Sequence, residues 1–305
     1  MNQATNISPD LTEQDGLTPS WPSYVGNSQF VGTNKSGTVS IYVDPNLSEE
    51  GLVNAQDLLA DSDRIVMANN SIFGSTGGPV SVIVLALNGA TDGTGGADHM
   101  GCDYITGGVI EVCASFGNSQ RVSALFEAEL SECSMNGNLC GYSTGEALSR
   151  WCASIVSNNA LNDFATAPLW VKDGSPDFVN QTDQTDHSHD STGCGMAFIS
   201  WLLSQGQSIN KIAQTMVLLG DTGTLAQLYS KLTLNSEAEA WTNFQKAMTL
   251  LPNGINNDDP FNAATQQLMD NLLEVVEPVK SISVASDSRE SFACEIKSRR
   301  LLPPL

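Results

Sequence analysis

Four glutamates in one stretch of the chain are the residues best suited to chemistry. Glu127, Glu129 and Glu132 lie on one predicted helix, and Glu146 opens the next predicted helix directly after Gly145. Glu129 and Glu132 lie about 60° apart around a helix axis, and antiparallel packing would bring Glu146 towards them. Three carboxylates around one point either raise the pKa of one of them or bind a cation. The stretch therefore predicts an acidic site, unless the glutamates only form a solvated helix face.

Two kinds of chemistry use carboxylates grouped in this way. Hard cations such as Ca²⁺, Mg²⁺ and Mn²⁺ prefer oxygen ligands. Glycoside hydrolases instead pair an acid with a base or nucleophile, which would require Glu129 and Glu146 to face each other across roughly 5 to 10 Å. Both alternatives place the chemistry between the two predicted helices.

The sequence holds only three histidines, so each one matters as an imidazole ligand. His99 lies in a glycine-rich segment from which it could reach the acidic helix as a metal ligand or an acid, or else remain an exposed loop residue. The other two histidines lie among aspartates just before a predicted helix, where a second metal cluster or a helix-capping loop is expected. The candidate ligands of that alternative cluster are Asp186, His187, His189 and Asp190.

The glycine-rich segment 88–103 could also wrap a calcium ion. Glycines permit the sharp turns that the oxygen shell of Ca²⁺ requires. The spacing differs from that of an EF-hand loop, so a turn-rich connection without a metal is the competing interpretation. The carboxylates of this candidate loop are Asp92, Asp98 and Asp103.

Hydrophobic periodicity predicts the elements that position these residues. Residues 38–43 alternate like a half-buried strand, 80–87 are apolar like a central strand, and 110–116 indicate an edge-like strand. A long helix is predicted between the first two strands, from Ser48 to about Asn69. Further helices are predicted over residues 120–135, 145–158, 191–204, 209–219, 222–232, 237–251 and 261–276.

These elements predict an α+β fold, with a small N-terminal β-sheet and one long helix followed by a mostly helical lobe. The predicted divisions are an irregular lead-in over 1–36, an α/β sheet subdomain over 37–118 and a helical subdomain over 119–277. The last carries the candidate active-site helices. Residues 278–305 are interpreted as a tail that is disordered or derives from cloning.

Residues 80–203 resemble the gluzincin type of zincin metallopeptidase, near the plant basic secretory protein group. Zincins place two histidines four residues apart on a helix, with a glutamate between them that activates the metal-bound water. Here Glu129 occupies the glutamate position, while Ala128 and Glu132 stand where the family has histidines. Glu146, on the next helix, matches the glutamate that serves gluzincins as third ligand.

The resemblance implies a zincin-like fold and a secreted, metal-dependent hydrolase of peptidase type. Glu129 would be the general base, with Glu132, Glu146 and His99 as ligands or charge partners of zinc, calcium or magnesium. A peptide or protein would be the substrate. Because both family histidines are replaced, a catalytically inactive zincin-like module that binds a protein or glycan is the second hypothesis.

The composition of this 305-residue chain argues against some classes of binding partner. Its 34 acidic and 13 basic residues give a net charge of -21, which repels nucleic acid and anionic lipid. We therefore expect no nucleic-acid partner, and no apolar segment approaches the length of a membrane span. No phosphate-binding loop or dinucleotide motif occurs, so no nucleotide or organic cofactor is expected.

The N-terminal segment and the cysteines indicate whether the protein is intracellular or secreted. The chain starts without the basic and apolar segments of a signal peptide, so we expect an intracellular protein or a mature one whose leader was removed. Six of the seven cysteines fall in residues 102–194, where they could form three disulfides or remain buried thiols. The first alternative favours a secreted or extracytoplasmic protein.

Overall fold

The computed structural model describes residues 18–23, 27–87, 95–158 and 160–264. It confirms the predicted α+β class, with a mixed sheet in the N-terminal part and mostly helices after it. The sheet has the order β1-β2-β3-β5-β4, in which the three inner strands are parallel and both outer strands are antiparallel to their neighbours. The strands are β1 Gln29–Thr33, β2 Val39–Val43, β3 Val80–Leu85, β4 Ala97–His99 and β5 Val109–Cys113.

The first half of the fold is a β-α-β unit around the helix α1, Glu49–Phe73. Ser48 caps α1 by accepting a hydrogen bond from the backbone N–H of Glu50. The helix ends at Gly74, whose φ of 66° suits glycine. Leu58 and Ile65 of α1 are fully buried with the sheet residues, so α1 covers the sheet and connects two parallel strands.

Two strands lie where the sequence predicted irregular structure. β1 falls inside the predicted lead-in, and β4 falls inside the glycine-rich segment. β5 is therefore an inner strand between β3 and β4, and its prediction as an edge-like strand is wrong. The three residues of β4 are too few and too polar to produce an alternating hydrophobic pattern.

The helical part agrees with the prediction except at α4, which was not predicted. The predicted helix 237–251 is shorter, because Glu237–Glu239 forms a 3₁₀ turn before α8 begins. Of the predicted helix 261–276, the part beyond 264 lies outside the described residues, as do the tail 278–305 and most of the lead-in. The helices are α2 Ser119–Ser134, α3 Ser143–Val156, α4 Ala167–Lys172, α5 His189–Ser204, α6 Ile209–Leu219, α7 Leu225–Thr233 and α8 Ala240–Met248.

Two hydrophobic clusters meet at α2 and α3. Phe126 and Leu130 of α2 pack in the cluster that includes the sheet. Trp151 of α3 packs in the second cluster, with Trp170 and Phe198 of the helical part. The two helices that carry the predicted site glutamates therefore lie side by side at the boundary between the clusters.

One disulfide joins two loops beside these helices. Cys102 in the β4–β5 connection is bonded to Cys140 in the α2–α3 connection. The remaining cysteines among the described residues are the buried thiols Cys113, Cys133, Cys152 and Cys194, so the six central cysteines form one bridge rather than three. No helix in the described part of the chain has the length and apolar character needed to cross a bilayer.

Candidate functional site

A cleft of about 520 Å³ lies between β4, α2 and α3. The cleft is lined by the predicted general base and its three predicted ligands or charge partners. These residues are His99 from β4, Glu129 and Glu132 from α2, and Glu146 from α3. The side-chain ligand atoms of His99, Glu129 and Glu132 lie within 4.8 Å of one another. The convergence predicted from helix geometry is therefore present, and β4 adds an imidazole to it.

The imidazole of His99 is held at both ring nitrogens. Nε2 lies 2.8 Å from Oε2 of Glu132 and 3.9 Å from Oε2 of Glu129, and Nδ1 donates to the carbonyl of Gly101. Burial lowers the pKa of His99, but the contacts with Glu132 and Gly101 and the charge of Asp98 outweigh it and raise the pKa above its usual value. The contact with Glu132 therefore favours the protonated form of the His99 imidazole.

Both carboxylate oxygens of Glu132 have partners on neighbouring elements. Oε2 contacts His99, and Oε1 accepts a hydrogen bond of 3.1 Å from the hydroxyl of Ser149 on α3. Since His99, Glu132 and Ser149 come from β4, α2 and α3, Glu132 links the three elements around the cleft.

Glu129 and Glu146 both have pKa values above the usual range. Burial is the largest cause for Glu129, followed by the charges of Glu132, Glu146 and two aspartates. Burial and the neighbouring Glu132 raise the pKa of Glu146 to about 8, although the guanidinium of Arg150 partly opposes the shift. Crowded, partly buried carboxylates of this kind either hold protons near neutral pH or bind a cation.

Arg150 is a site residue that the sequence analysis missed. Its side chain is 10% exposed, lies 3.9 Å from Oε1 of Glu146 and donates over 3.0 Å to Asp258. Asp258 also accepts the backbone N–H groups of Thr166 and Ala167. The spacing of Glu146 and Arg150, four residues apart on one helix, was a usable signal. Nothing in the sequence indicated Asp258, because it lies 108 positions from Arg150.

Glu127 faces away from the cleft. It is fully buried and accepts hydrogen bonds from Asn69 of α1 and from Ser131. Burial raises its pKa to about 8. The alternative that Glu127, Glu129 and Glu132 form a solvated helix face is therefore wrong, because α2 is covered on both sides.

The structure divides the alternative cluster of residues 186–190 between two places. Asp186 and His187 line the cleft, with the exposed His187 3.1 Å from Asp186. His189 and Asp190 lie with Asp173, at 2.8 Å between His189 and Asp173 and 3.5 Å between His189 and Asp190. The ligand atoms of these last three residues also lie within 4.8 Å of one another, so they form a second group of metal-binding residue types.

The carboxylates of the candidate calcium loop have separate local partners. Asp98 lines the cleft and accepts the backbone N–H of His99, while Asp103 accepts the N–H groups of Ile105 and Thr106 in a turn. These bonds also lower the pKa of Asp103. Asp92 lies outside the described residues.

Fold and site together define an α+β protein with a histidine–carboxylate cleft. A scan against protein-family models gives no match, and a comparison with curated proteins finds no significant relative. The functional assignment therefore depends on the geometry of the cleft.

Proposed function

We propose that the protein is a metal-dependent hydrolase of peptidase type, built on a zincin-like scaffold. The observation that carries the proposal is the convergence of His99, Glu129 and Glu132, with their ligand atoms within 4.8 Å of one another, in a cleft that Glu146 also lines. Imidazole and carboxylate groups together suit zinc, and a carboxylate-rich set also suits calcium, magnesium or manganese.

The electrostatics of the cleft fit a divalent cation. Burial and mutual repulsion raise the pKa values of Glu129 and Glu146, and a positive ion would offset the repulsion and favour the charged carboxylates. The hydrogen bond from Nδ1 of His99 to the Gly101 carbonyl is the outer contact typical of metal-bound histidines. His99, Glu132 and Glu146 would hold the ion, which would supply a water of lowered pKa and polarise the substrate carbonyl.

Glu129 would act as the general base. Its carboxylate lines the cleft beside the proposed ligands, where it could accept a proton from the attacking water and return it to a leaving amine. Arg150 would favour the charged form of Glu146, since their side chains lie 3.9 Å apart. The division of roles follows the zincin layout in part. In zincins the base and two ligands come from one helix and the third ligand from the next, whereas here α2 would supply the base and one ligand, Glu132.

The zincin-like interpretation is supported by the placement of α2 and α3. Glu129 on α2 and Glu146 in the first turn of α3 lie in the same cleft, as the gluzincin layout requires. His99 supplies from β4 an imidazole that α2 lacks. A location outside the cytoplasm is part of the proposal, supported by the Cys102–Cys140 disulfide.

The test pairs metal analysis with a variant of the proposed base. Protein purified without chelator should contain stoichiometric metal and cleave a peptide library. Glu129→Gln should lower cleavage by about 10²- to 10⁴-fold, the usual contribution of a general base. The matched control is Glu127→Gln on the same helix, which should retain activity because Glu127 lies outside the cleft. Absence of metal together with equal activity of both variants would refute the proposal.

The alternative of a non-catalytic binding module has one observation in its favour. Ala128 lines the cleft at the position of the first zincin histidine and offers no ligand atom. In that case the protein should bind peptides or glycans without cleaving them, and Glu129→Gln should leave the affinity unchanged. Binding and cleavage measured on the same peptides separate the two functions.

A further inference from the structure

We infer that the Cys102–Cys140 disulfide positions His99, so that metal affinity at the cleft depends on the redox state of this cysteine pair. The inference rests on the proposed metal site and adds a means of regulation to it. It starts from the short segment that links His99 to Cys102.

This segment connects the imidazole to the disulfide through one carbonyl group. His99 ends β4, and its Nδ1 donates to the carbonyl of Gly101. The next residue, Cys102, is bonded to Cys140, and its own carbonyl accepts the backbone N–H of Gly137 over 2.7 Å. Both of these partners lie in the connection between α2 and α3. The carbonyl that orients His99 is therefore fastened to the loop that joins the two glutamate-bearing helices.

The carbonyl decides which nitrogen of His99 can bind a metal. A carbonyl oxygen only accepts hydrogen bonds, so Nδ1 carries the proton and neutral His99 has its lone pair on Nε2. Nε2 is the nitrogen that faces Glu132 at 2.8 Å. If the Gly101 carbonyl moves away, the imidazole can rotate or carry its proton on Nε2, and neither state presents the lone pair to the cleft. Loss of such an outer partner typically weakens metal binding about 10- to 100-fold.

Among the described cysteines, the two that form the disulfide are the ones that a reductant in solution can reach. Cys102 and Cys140 are partly exposed, whereas the four thiols Cys113, Cys133, Cys152 and Cys194 are buried. A dithiol reductant would transfer two electrons and two protons to the bridge. The S–S bond breaks, Cys102 and Cys140 become thiols, and the reductant becomes a disulfide.

The experiment measures zinc affinity of the full chain by competition with a chelator. Oxidised protein is compared with protein that has been reduced by a dithiol, freed of reductant without oxygen and shown to be folded by near-UV circular dichroism. We expect about 10- to 100-fold weaker zinc binding after reduction. Cys102→Ser/Cys140→Ser should reproduce the loss without reductant. Equal affinity in the oxidised and reduced proteins would overturn the inference.

Two further variants separate positioning from general stability. Gly101→Ala keeps the bridge but places a Cβ 2.5 Å from Oγ1 and 2.8 Å from the backbone carbonyl carbon of Thr106. The backbone around the Gly101 carbonyl should therefore shift, and zinc affinity should fall. Leu228→Ala opens a cavity in α7, on a helix that contributes no lining residue to the cleft, and should lower Tm while zinc affinity stays constant. Unchanged affinity in Gly101→Ala would contradict the role of the carbonyl.

An NMR measurement tests the positioning of His99 even if the protein binds no metal. The ¹⁵N shifts of His99 in zinc-free protein at alkaline pH should report Nδ1–H in the oxidised form and a shift towards Nε2–H after reduction. If no form binds zinc, the proposed function fails while these shifts still decide whether the disulfide positions His99. Nδ1–H in both forms would overturn the positioning inference.

Discussion

Two groups of the same residue types occupy very different surroundings. The cleft group has His99 with Glu129 and Glu132, and the surface group has His189 with two aspartates. The side chain of His99 is 12% exposed, whereas that of His189 is 47% exposed. In both groups an imidazole nitrogen lies 2.8 Å from a carboxylate oxygen. Geometry of the contact alone therefore does not distinguish them.

The two groups differ in the causes of their pKa shifts, because burial and repulsion between like charges act mainly in the cleft. At the surface, the hydrogen bond with Asp173 raises the pKa of His189, and water screens the remaining charges. In the cleft, partial burial and the neighbouring Glu132 raise the pKa values of both Glu129 and Glu146. A cation would relieve more repulsion in the cleft than at the surface, so the cleft is the better candidate of the two groups for binding a metal.

The largest expected effect concerns the buried ion pair at the cleft wall. Arg150→Met should lower the free energy of unfolding by about 3–5 kcal/mol, because it leaves the largely buried Asp258 without its cation. The surface counterpart Asp173→Asn should leave the free energy of unfolding unchanged. Urea denaturation of both variants checks the prediction, and similar stabilities would remove the energetic distinction between the two regions.

The second largest effect is expected in zinc affinity, which should depend on His99 and not on His189. His99→Ala should weaken zinc binding by at least about 100-fold, since losing a ligand costs more than losing an outer partner. His189→Ala should bind zinc as the unchanged protein does. Chelator competition gives both constants. The reverse ranking would move the metal site to the surface group.

The metal-free protein should lose stability as pH rises from about 4.5 to about 8. Glu146 keeps its proton in the folded state up to a pKa of about 8, whereas the unfolded chain releases it near 4.5. The folded state therefore binds more protons throughout this window, and rising pH favours unfolding. Each kcal/mol lost lowers Tm by about 2–4 °C for a domain of this size.

Scanning calorimetry of metal-free protein across this pH range provides the measurement. Glu146→Gln should flatten the decline, and zinc should flatten it in the unchanged protein. Glu127, with a pKa also raised to about 8, contributes a decline that zinc leaves in place because Glu127 lies outside the cleft. A Tm that rises between the two pH limits would contradict the assigned protonation states.

The smallest effect is expected for Glu127→Gln. At neutral pH the carboxyl of Glu127 is protonated, and Gln is isosteric with it and can still accept from Asn69 and Ser131. The free energy of unfolding should change by less than about 1 kcal/mol, with zinc affinity unchanged. Denaturation and chelator competition on this variant test it. A loss of zinc affinity would mean that burial on α2, rather than position in the cleft, controls the site.

Much of the fold follows from local pattern. The apolar run of β3, the alternation in β2 and the helical spacing in α1, α2, α3 and α6 predicted those elements within a few residues. Short or polar elements were not predicted. β4 has only three residues, and α4 has six, which is less than two turns of helix, so neither is long enough to show a hydrophobic period. The domain boundaries stay a prediction.

The candidate site shows the same division. Helical spacing alone grouped Glu129 with Glu132, whereas Glu146 was expected near them only if the two helices packed antiparallel. The pairing of His99 with Glu132 depends on β4 adding to the sheet beside α2, which no local pattern indicated. The pairing of Arg150 with Asp258 likewise depends on packing of distant segments.

The sequence by itself determined the α+β class, the acidic helix and the residue types available for chemistry, because these depend on composition and on spacing within one element. Only the tertiary structure decided which carboxylates are buried, which histidine joins them and that one disulfide lies beside the site. Burial, pKa and ligand convergence are properties of contacts between elements far apart in the chain, and those contacts exist only once the sheet and the helices have packed.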